Sequence, residues 1–337
     1  MNIFMVGGTG LLGSEAAFEL IRRGHNVSSI ALPPLPINAK IPKEMKLIFA
    51  NYLELSDQQI KDLMFGMDGF IFAAGVDERI EGTKPIYDFY AKYNIIPLKK
   101  MIQIAKESGV KHVVVLGSYF SYFARVWKEL DLYHKHPYIK SRIDQAEMAL
   151  SFADDNTSVS VLELPYIFGT QPGRKPVWTF LIEQIEKMKG LTLYPNGGTT
   201  MLTVKQVGQC IASAIEIKNH GQNYPIGYYN MSWKEMLSIF HKYMGVPNKK
   251  IITIPKFIYL LVMKSKVKEY KKKHIENGLD LIGLVEIMTR HAYIDKELIT
   301  QTFGVTDDDI DQAIGQSVKL SMDFINGKKD IIDMRGE

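Results

Sequence analysis

One run of residues suggests a chemistry before any other: Gly7-Gly8-Thr9-Gly10-Leu11-Leu12-Gly13. It follows the apolar stretch Ile3-Phe4-Met5-Val6 and precedes a helical pattern reaching about Arg23. A strand ending in glycines lets the backbone come close to a pyrophosphate. The helix after it aims unpaired N–H groups and a positive dipole end at the same anion. The glycines fit two registers, Gly7/Gly10/Gly13 and Gly8/Gly10/Gly13. In both, the strand–turn–helix context is that of a dinucleotide-binding site.

Such a turn needs a sheet behind it, and the first half of the chain supplies one. Short apolar segments bounded by Gly, Asn or Asp predict strands over 2–6, 26–31, 46–49, 69–73, 112–116 and 158–163. Helical patterns lie between them over 11–23, 57–65, 87–107 and 138–152. Repeated strand–helix units imply a parallel sheet covered on both faces, a Rossmann-type doubly wound α/β fold. Ligands of such sheets sit at the carboxyl ends of the strands. The Gly/Pro-rich segment 165–176 marks a boundary. Beyond it helices are expected near 177–189, 204–218, 232–244, 255–273, 279–291 and 306–326, with short strands near 191–194, 199–203 and 224–226. We therefore expect an NAD(P)-binding domain over 1–165 with returning segments about 199–226. A smaller, mostly helical substrate-binding region is expected over 166–198 and 227–337.

Composition narrows the class. The chain has 337 residues, 46% of them hydrophobic and 23% charged, as in ordinary globular proteins. The one cysteine, Cys210, excludes an internal disulfide framework; its apolar helical setting reads as a buried thiol. No apolar run reaches the length of a membrane span, and a cytoplasmic protein without a signal peptide is expected. Net charge is +4, and seven lysines lie between Lys256 and Lys273. A solvated helix face is the expected meaning of that run, rather than nucleic-acid or membrane contact. His134-Lys135-His136 lacks further ligands for a metal and reads as a polar loop. Neither a G-x-S-x-G elbow nor a P-loop occurs. Asp307-Asp308-Asp309 reads as the acidic opening of a helix.

An ordered set of motifs then appears: the glycine-rich run; Phe72-Ala73-Ala74-Gly75 ending the fourth strand; Asn94 opening a helical turn; Gly117-Ser118 after the fifth; Tyr138 with Ser141 and Glu147; Leu164-Pro165 with Phe168-Gly169; and Met231-Ser232-Trp233-Lys234-Glu235. With this set the chain resembles the extended short-chain dehydrogenase/reductase family, the NAD-dependent epimerase/dehydratase group, over nearly its whole length. The resemblance implies a nicotinamide cofactor, NAD or NADP, a small-molecule substrate and often a homodimer. It places the cofactor on Gly7, Thr9, Gly10, Leu11, Leu12, Gly13, Asn51, Ala73, Ala74, Gly75, Asn94, Tyr138, Arg142 and Pro165. It also implies hydride transfer coupled to proton transfer, with Tyr138 as acid/base. A phenol near its ordinary pKa of about 10 needs a nearby cation for this work.

The chain departs from the family at several of these places. The family cation is a lysine four residues after the tyrosine, and here that position is Arg142. Arginine can lower the phenol's pKa from the same helix face, but it cannot release a proton in a relay. Tyr119 stands where the family's catalytic hydroxyl usually sits, and Ser118 precedes it; either is a candidate hydroxyl donor. Tyr119, Phe120, Tyr122 and Phe123 could instead line an apolar pocket. No acidic residue occurs between Glu19 and Glu44 to read the ribose 2′-hydroxyl, and no arginine follows the second strand to grip a 2′-phosphate. Asn51 replaces an aspartate that usually flanks the adenine. Val204-Lys205-Gln206-Val207 replaces an acidic pair, and Glu163 stands where an arginine is common. Arg174 and Lys175 could bind a phosphate, but an ordinary exposed loop is expected there. The leading expectation is an NAD(P)-dependent oxidoreductase or epimerase acting on a sugar derivative or small carbonyl. Its rival is a dinucleotide-binding regulator or scaffold with a degenerate catalytic site.

Overall fold

A computed structural model describes residues 1–327 and 331. Residues 328–330 and 332–337, the end of the expected 227–337 region, lie outside the described residues. Strand β1 (Asn2–Val6) alternates its side chains between two apolar layers. Ile3 and Met5 enter one, Phe4 and Val6 the other. A strand buried on both faces needs cover on both.

Its sheet comprises β2 (Asn26–Ala31), β3 (Lys46–Phe49), β4 (Gly69–Phe72), β5 (His112–Ser118), β6 (Ser158–Leu164) and β7 (Gln222–Pro225). The spatial order is β7-β6-β5-β4-β1-β2-β3, and every pairing is parallel. Helices Leu11–Arg22 and Val204–Glu216 cover the Ile3 face with Ala16, Leu20, Val207 and Ile211. Helices Asp57–Met64, Ile96–Glu107 and Pro137–Leu150 cover the Phe4 face with Ile60, Leu98, Met101 and Ala149. Burying each Leu, Ile, Val or Met among these contributes about 1.5–3 kcal/mol. This is the expected Rossmann-type doubly wound sheet. Its order reverses between β1 and β4, which locates the ligand crevice at their carboxyl ends.

The second half builds a smaller layer. Gly198–Thr203 pairs with Tyr166–Phe168, Tyr229–Ser232 and His291–Ala292. Helices Thr179–Lys187, Trp233–Tyr243 and Ile310–Ile325 pack around Phe168, Trp178 and Phe240. Local polar residues start these helices. Ser232 and Glu235 form a reciprocal capping box, as do Thr203 and Gln206. Gln206 thus caps a helix where the family commonly carries acids. Asp309 accepts from Gln312 N–H at 2.9 Å, so the Asp307–Asp309 run does open a helix.

Several elements differ from expectation. The helix expected over 87–107 is broken into Ile86–Tyr90, a wide-turned segment Ala91–Ile95 and Ile96–Glu107. The region expected as one helix over 279–291 ends at Met288 and continues as the strand His291–Ala292. The last helix starts at Ile310 rather than near 306, after a separate helix Glu297–Phe303. Tyr119–Val126 is a helix, started by Ser118 whose hydroxyl accepts from Phe120 N–H at 3.4 Å. Lys250–Ile254 is a strand. In each case tertiary packing overrode a short or mixed local pattern.

Candidate active site

The glycine-rich turn is forced to be glycine by contact. Gly7 has φ +91°, and a Cβ there would lie 2.7 Å from Ala73 O. A Cβ on Gly8 would meet Ser29 Oγ at 2.5 Å, and one on Gly13 would meet Gly7 O at 2.2 Å. Both sequence registers therefore describe real constraints: Gly7 abuts β4's end, while Gly8 seats on β2. The helix opens at Leu11, leaving its first amides without intrahelical partners. This is a cradle for an anion, and it fits the pyrophosphate of a dinucleotide.

From Gly7 the site runs along the strand ends. Ala73, Ala74 and Gly75 follow β4 beside Gly7. Gly75 has φ +138°; a Cβ there would lie 2.6 Å from Asn94 Oδ1 and 3.8 Å from Arg142 Nη1. Asn94 is fully buried in the wide-turned segment. It accepts from Val76 N–H at 2.8 Å, donates to Val76 O at 3.1 Å, and its own carbonyl takes the Gln145 amide at 2.6 Å. The wide turn thus presents both ends of Asn94 to partners, as such turns do at functional sites.

Tyr138 is the second residue of the helix Pro137–Leu150, and its N–H donates to Gly278 O at 2.8 Å. Its ring meets Tyr90 edge-on at 5.3 Å and Phe120 at 6.4 Å. Arg142 Cζ lies 5.8 Å from the ring centre, and Arg142 Nη2–H donates to Leu116 O at 2.5 Å. Burial pushes the Tyr138 phenol up to about 12; Arg142 and a hydrogen bond with Ser118 pull it down, and Glu78 and Asp77 oppose them. Of the two candidate hydroxyls, that of Ser118 acts to lower the Tyr138 pKa. Tyr119 is instead buried among Phe120, Phe123 and Tyr166, and its oxygen accepts from Thr199 Oγ1 at 3.1 Å. The aromatic-pocket reading of Tyr119 fits this placement.

The remaining sequence candidates scatter around this line. Leu164 pairs in register with Ser118, so Pro165 follows at the same end of the sheet. Asn51 lies past the end of β3, accepting from Leu53 N–H at 3.1 Å and donating to Glu54 at 2.7 Å. Glu163 is fully buried and receives Arg125 through two bonds of 2.8 and 2.7 Å. Arg174 corrects the exposed-loop expectation, since it is only 7% exposed and bonded to Thr9. His136 corrects the polar-loop expectation. It is fully buried, and its Nδ1 accepts from Asp280 N–H at 3.1 Å. Among the described residues no cluster of ligands could hold a metal. Cys210 is buried and its thiol is pushed upward by burial. The lysine-rich run forms the helix Lys256–Lys273, with Phe257, Leu261 and Val262 also exposed. Among the described residues no helix is long and apolar enough to cross a membrane.

Glu78 belongs to no motif and went unnoticed in the sequence. Its neighbours are pinned: Tyr90 O–H donates to Asp77 O at 3.2 Å, and Gly278 N–H donates to Ile80 O at 3.3 Å. Burial pushes its carboxyl up to about 7, helped by Asp77 and opposed by Arg79 and Arg142. Its charge acts on Tyr119, Tyr138 and Tyr166. Only the fold brings this loop against the tyrosine helix, so spacing along the chain carried no signal of it.

A doubly wound sheet with this glycine cradle, and a buried Tyr–Arg pair beside a serine at its carboxyl edge, defines a dinucleotide-dependent class. Comparison with known proteins agrees. The family model "Epimerase: NAD dependent epimerase/dehydratase family" matches residues 3–227, and the chain belongs to that family of NAD(P)-dependent enzymes. It is 29% identical over 128 residues to divinyl chlorophyllide a 8-vinyl-reductase, chloroplastic, of Arabidopsis thaliana; the match covers 35% of this chain and 29% of that protein's length. Its fold is similar to the crystal structure of gox2253, with TM-score 0.73 and 16% identity over 97% of this chain and 98% of that one. It is also similar to UDP-glucuronic acid 4-epimerase from Bacillus cereus in complex with NAD, with TM-score 0.65 and 12% identity over 96% of this chain and 99% of that one.

Proposed function

We propose that the protein is an NAD(P)-dependent oxidoreductase or epimerase that acts on a sugar derivative or small carbonyl, with Tyr138 as acid/base. The observation that supports this best is the grouping of Tyr138, Ser118 and Arg142 beside Gly75 and Asn94. A bound nicotinamide would supply the hydride acceptor or donor. In reduction the Tyr138 phenol gives its proton to the carbonyl oxygen, and in oxidation the phenolate takes that proton from the carbinol. The Ser118 hydroxyl holds the reacting oxygen by a hydrogen bond. Arg142 stabilises the phenolate, because an adjacent cation favours the charged form. Gly7 through Gly13 hold the pyrophosphate, Asn51 lies toward the adenine, and Ala73, Ala74, Asn94 and Pro165 line the rest of the cofactor's path. The likeness to a UDP-sugar epimerase supports a sugar derivative as substrate.

The test is turnover over a panel of sugar nucleotides and small carbonyls, with Tyr138→Phe as comparison. Turnover lost in the variant, with dinucleotide binding retained, is the expected result. Unchanged turnover overturns the assignment.

One observation favours a second reading, a dinucleotide-binding regulator. The Tyr138 phenol is held near 12 despite Arg142, which disfavours proton transfer at neutral pH. Dinucleotide binding without turnover on any member of the panel, in Arg142→Lys as well, is the outcome that reading expects.

A further inference from the structure

The glycine cradle has a cation on it that the first half of the chain does not supply. Arg174, from the Gly/Pro-rich loop after β6, donates its Nε–H to Thr9 O and its Nη2–H to Thr9 Oγ1, both at 3.1 Å. Its remaining nitrogen, Nη1, is buried and has no hydrogen-bond partner among the described residues. Burial lowers its pKa, and among the described residues no acidic neighbour raises it. A guanidinium taken out of water without an opposite charge beside it is costly, even when neutral oxygens accept from part of it. Here it also sits beside the positive end of the helix that opens at Leu11. Two like electrostatic sources at one point are stabilised together only by an anion.

The loop's other contacts place that anion along the cofactor. Gly173 packs on the segment that leaves β2: a Cβ on it would lie 2.6 Å from Ile37 O and from Pro36 Cβ. Gln171 clasps the same segment, accepting from Lys40 N–H at 3.0 Å and donating to Lys40 O at 2.9 Å. It also donates to Thr9 O at 3.4 Å. Arg174 is thus wedged between the glycine-rich turn and the residues after β2. In a dinucleotide-binding sheet the adenosine ribose lies at that place, and the residue that reads its 2′ position comes from there. NAD sites put a carboxylate at it, and this chain has none between Glu19 and Glu44.

We propose that Arg174 binds the 2′-phosphate of NADP(H), so that a residue from the second half of the chain sets the cofactor preference. The proposal rests on the dinucleotide site of the proposed function, but not on turnover. Its test is calorimetric titration of the full chain with NAD, NADH, NADP and NADPH. The intact protein is expected to bind the phosphorylated pair more tightly. Arg174→Gln is expected to weaken NADP and NADPH about 10- to 100-fold and to leave NAD and NADH within about threefold. Equal losses for both pairs, or no loss for either, overturn the assignment.

Because Arg174 also braces Thr9, a second variant guards against a misfolded first. Leu32 is the first residue past β2 and is 48% exposed. Leu32→Asp puts a carboxylate where it would repel a 2′-phosphate, and its expected effect is a reversed preference toward NAD. A preference unchanged in Leu32→Asp counts against the proposal. Binding of no dinucleotide at all overturns it together with the cofactor site. Selective NADP(H) binding with no turnover leaves it standing while the catalytic reading fails.

Discussion

Arg142 holds its guanidinium carbon 5.8 Å from the ring centre of Tyr138 while donating to Leu116 O at 2.5 Å. The cation is thus anchored to β5 and faces the phenol from one turn along the same helix. Its Nε is buried and has no hydrogen-bond partner among the described residues. The shared helix and the strand anchor together fix the distance that decides how much of the burial-driven rise in the phenol's pKa Arg142 offsets.

Removing that cation moves the pH dependence of turnover. Arg142 lowers the Tyr138 pKa, so Arg142→Met raises it. The limb of the pH–rate profile that requires phenolate then shifts to higher pH, and turnover at neutral pH falls about 10- to 100-fold. Arg142→Lys keeps a cation on the face and falls less. A profile unmoved in Arg142→Met shows that the pair does not act together.

The two adjacent hydroxyls predict opposite outcomes. Ser118→Ala removes the hydroxyl that helps lower the Tyr138 pKa, and turnover falls about 10- to 100-fold. Tyr119→Phe removes an oxygen that serves Thr199. Turnover stays within about threefold, and stability falls by about 1 kcal/mol. Steady-state rates and denaturant unfolding of both variants check this, and the reverse ranking would restore Tyr119 as the donor.

The cradle tolerates no side chain at its third glycine. In Gly13→Ala the added Cβ starts 2.2 Å from Gly7 O, so turn and helix must separate. Dinucleotide affinity is expected to fall at least about 100-fold, with a stability loss of about 1–3 kcal/mol from the forced shift. Calorimetry and thermal melting report the two effects separately.

His136 makes the fold sensitive to acid. Burial pushes its imidazole down to about 4; Asp280 opposes and Lys135 adds to the fall. Between pH 6.5 and 4 the unfolded chain therefore binds the proton that the folded one refuses. Stability from this group is present above pH 6.5 and is lost as pH falls toward 4, amounting to about 3 kcal/mol. His136→Gln keeps an acceptor for Asp280 N–H and removes the titration. Denaturant unfolding from pH 7 to 4 should show the intact protein losing about that much more than the variant. Parallel losses would show that His136 is not the titrating group.

Much of the fold was legible because it is local. Alternation at Ile3, Phe4, Met5 and Val6, and the helical period after Gly10, are set by neighbours in sequence. So is the glycine turn, whose requirement follows from backbone geometry. The helix expected over 87–107 is broken, and an apolar helical pattern does not reveal a wide turn whose reason lies elsewhere. That reason is the bonding of Asn94 to Val76 and Gln145.

By itself, then, the sequence determined the doubly wound sheet, the dinucleotide cradle and the Tyr138–Arg142 spacing, because each depends on residues a few positions apart. Which hydroxyl faces Tyr138 was decided only by the packing of the helix Tyr119–Val126, which turns Tyr119 into an aromatic cluster and leaves Ser118 at the strand end. The nearness of Glu78, and the seat of Arg174 on Thr9, were decided by contacts between segments distant in the chain. No periodicity encodes such contacts, since they arise only when loops distant in the chain meet at the carboxyl ends of the strands.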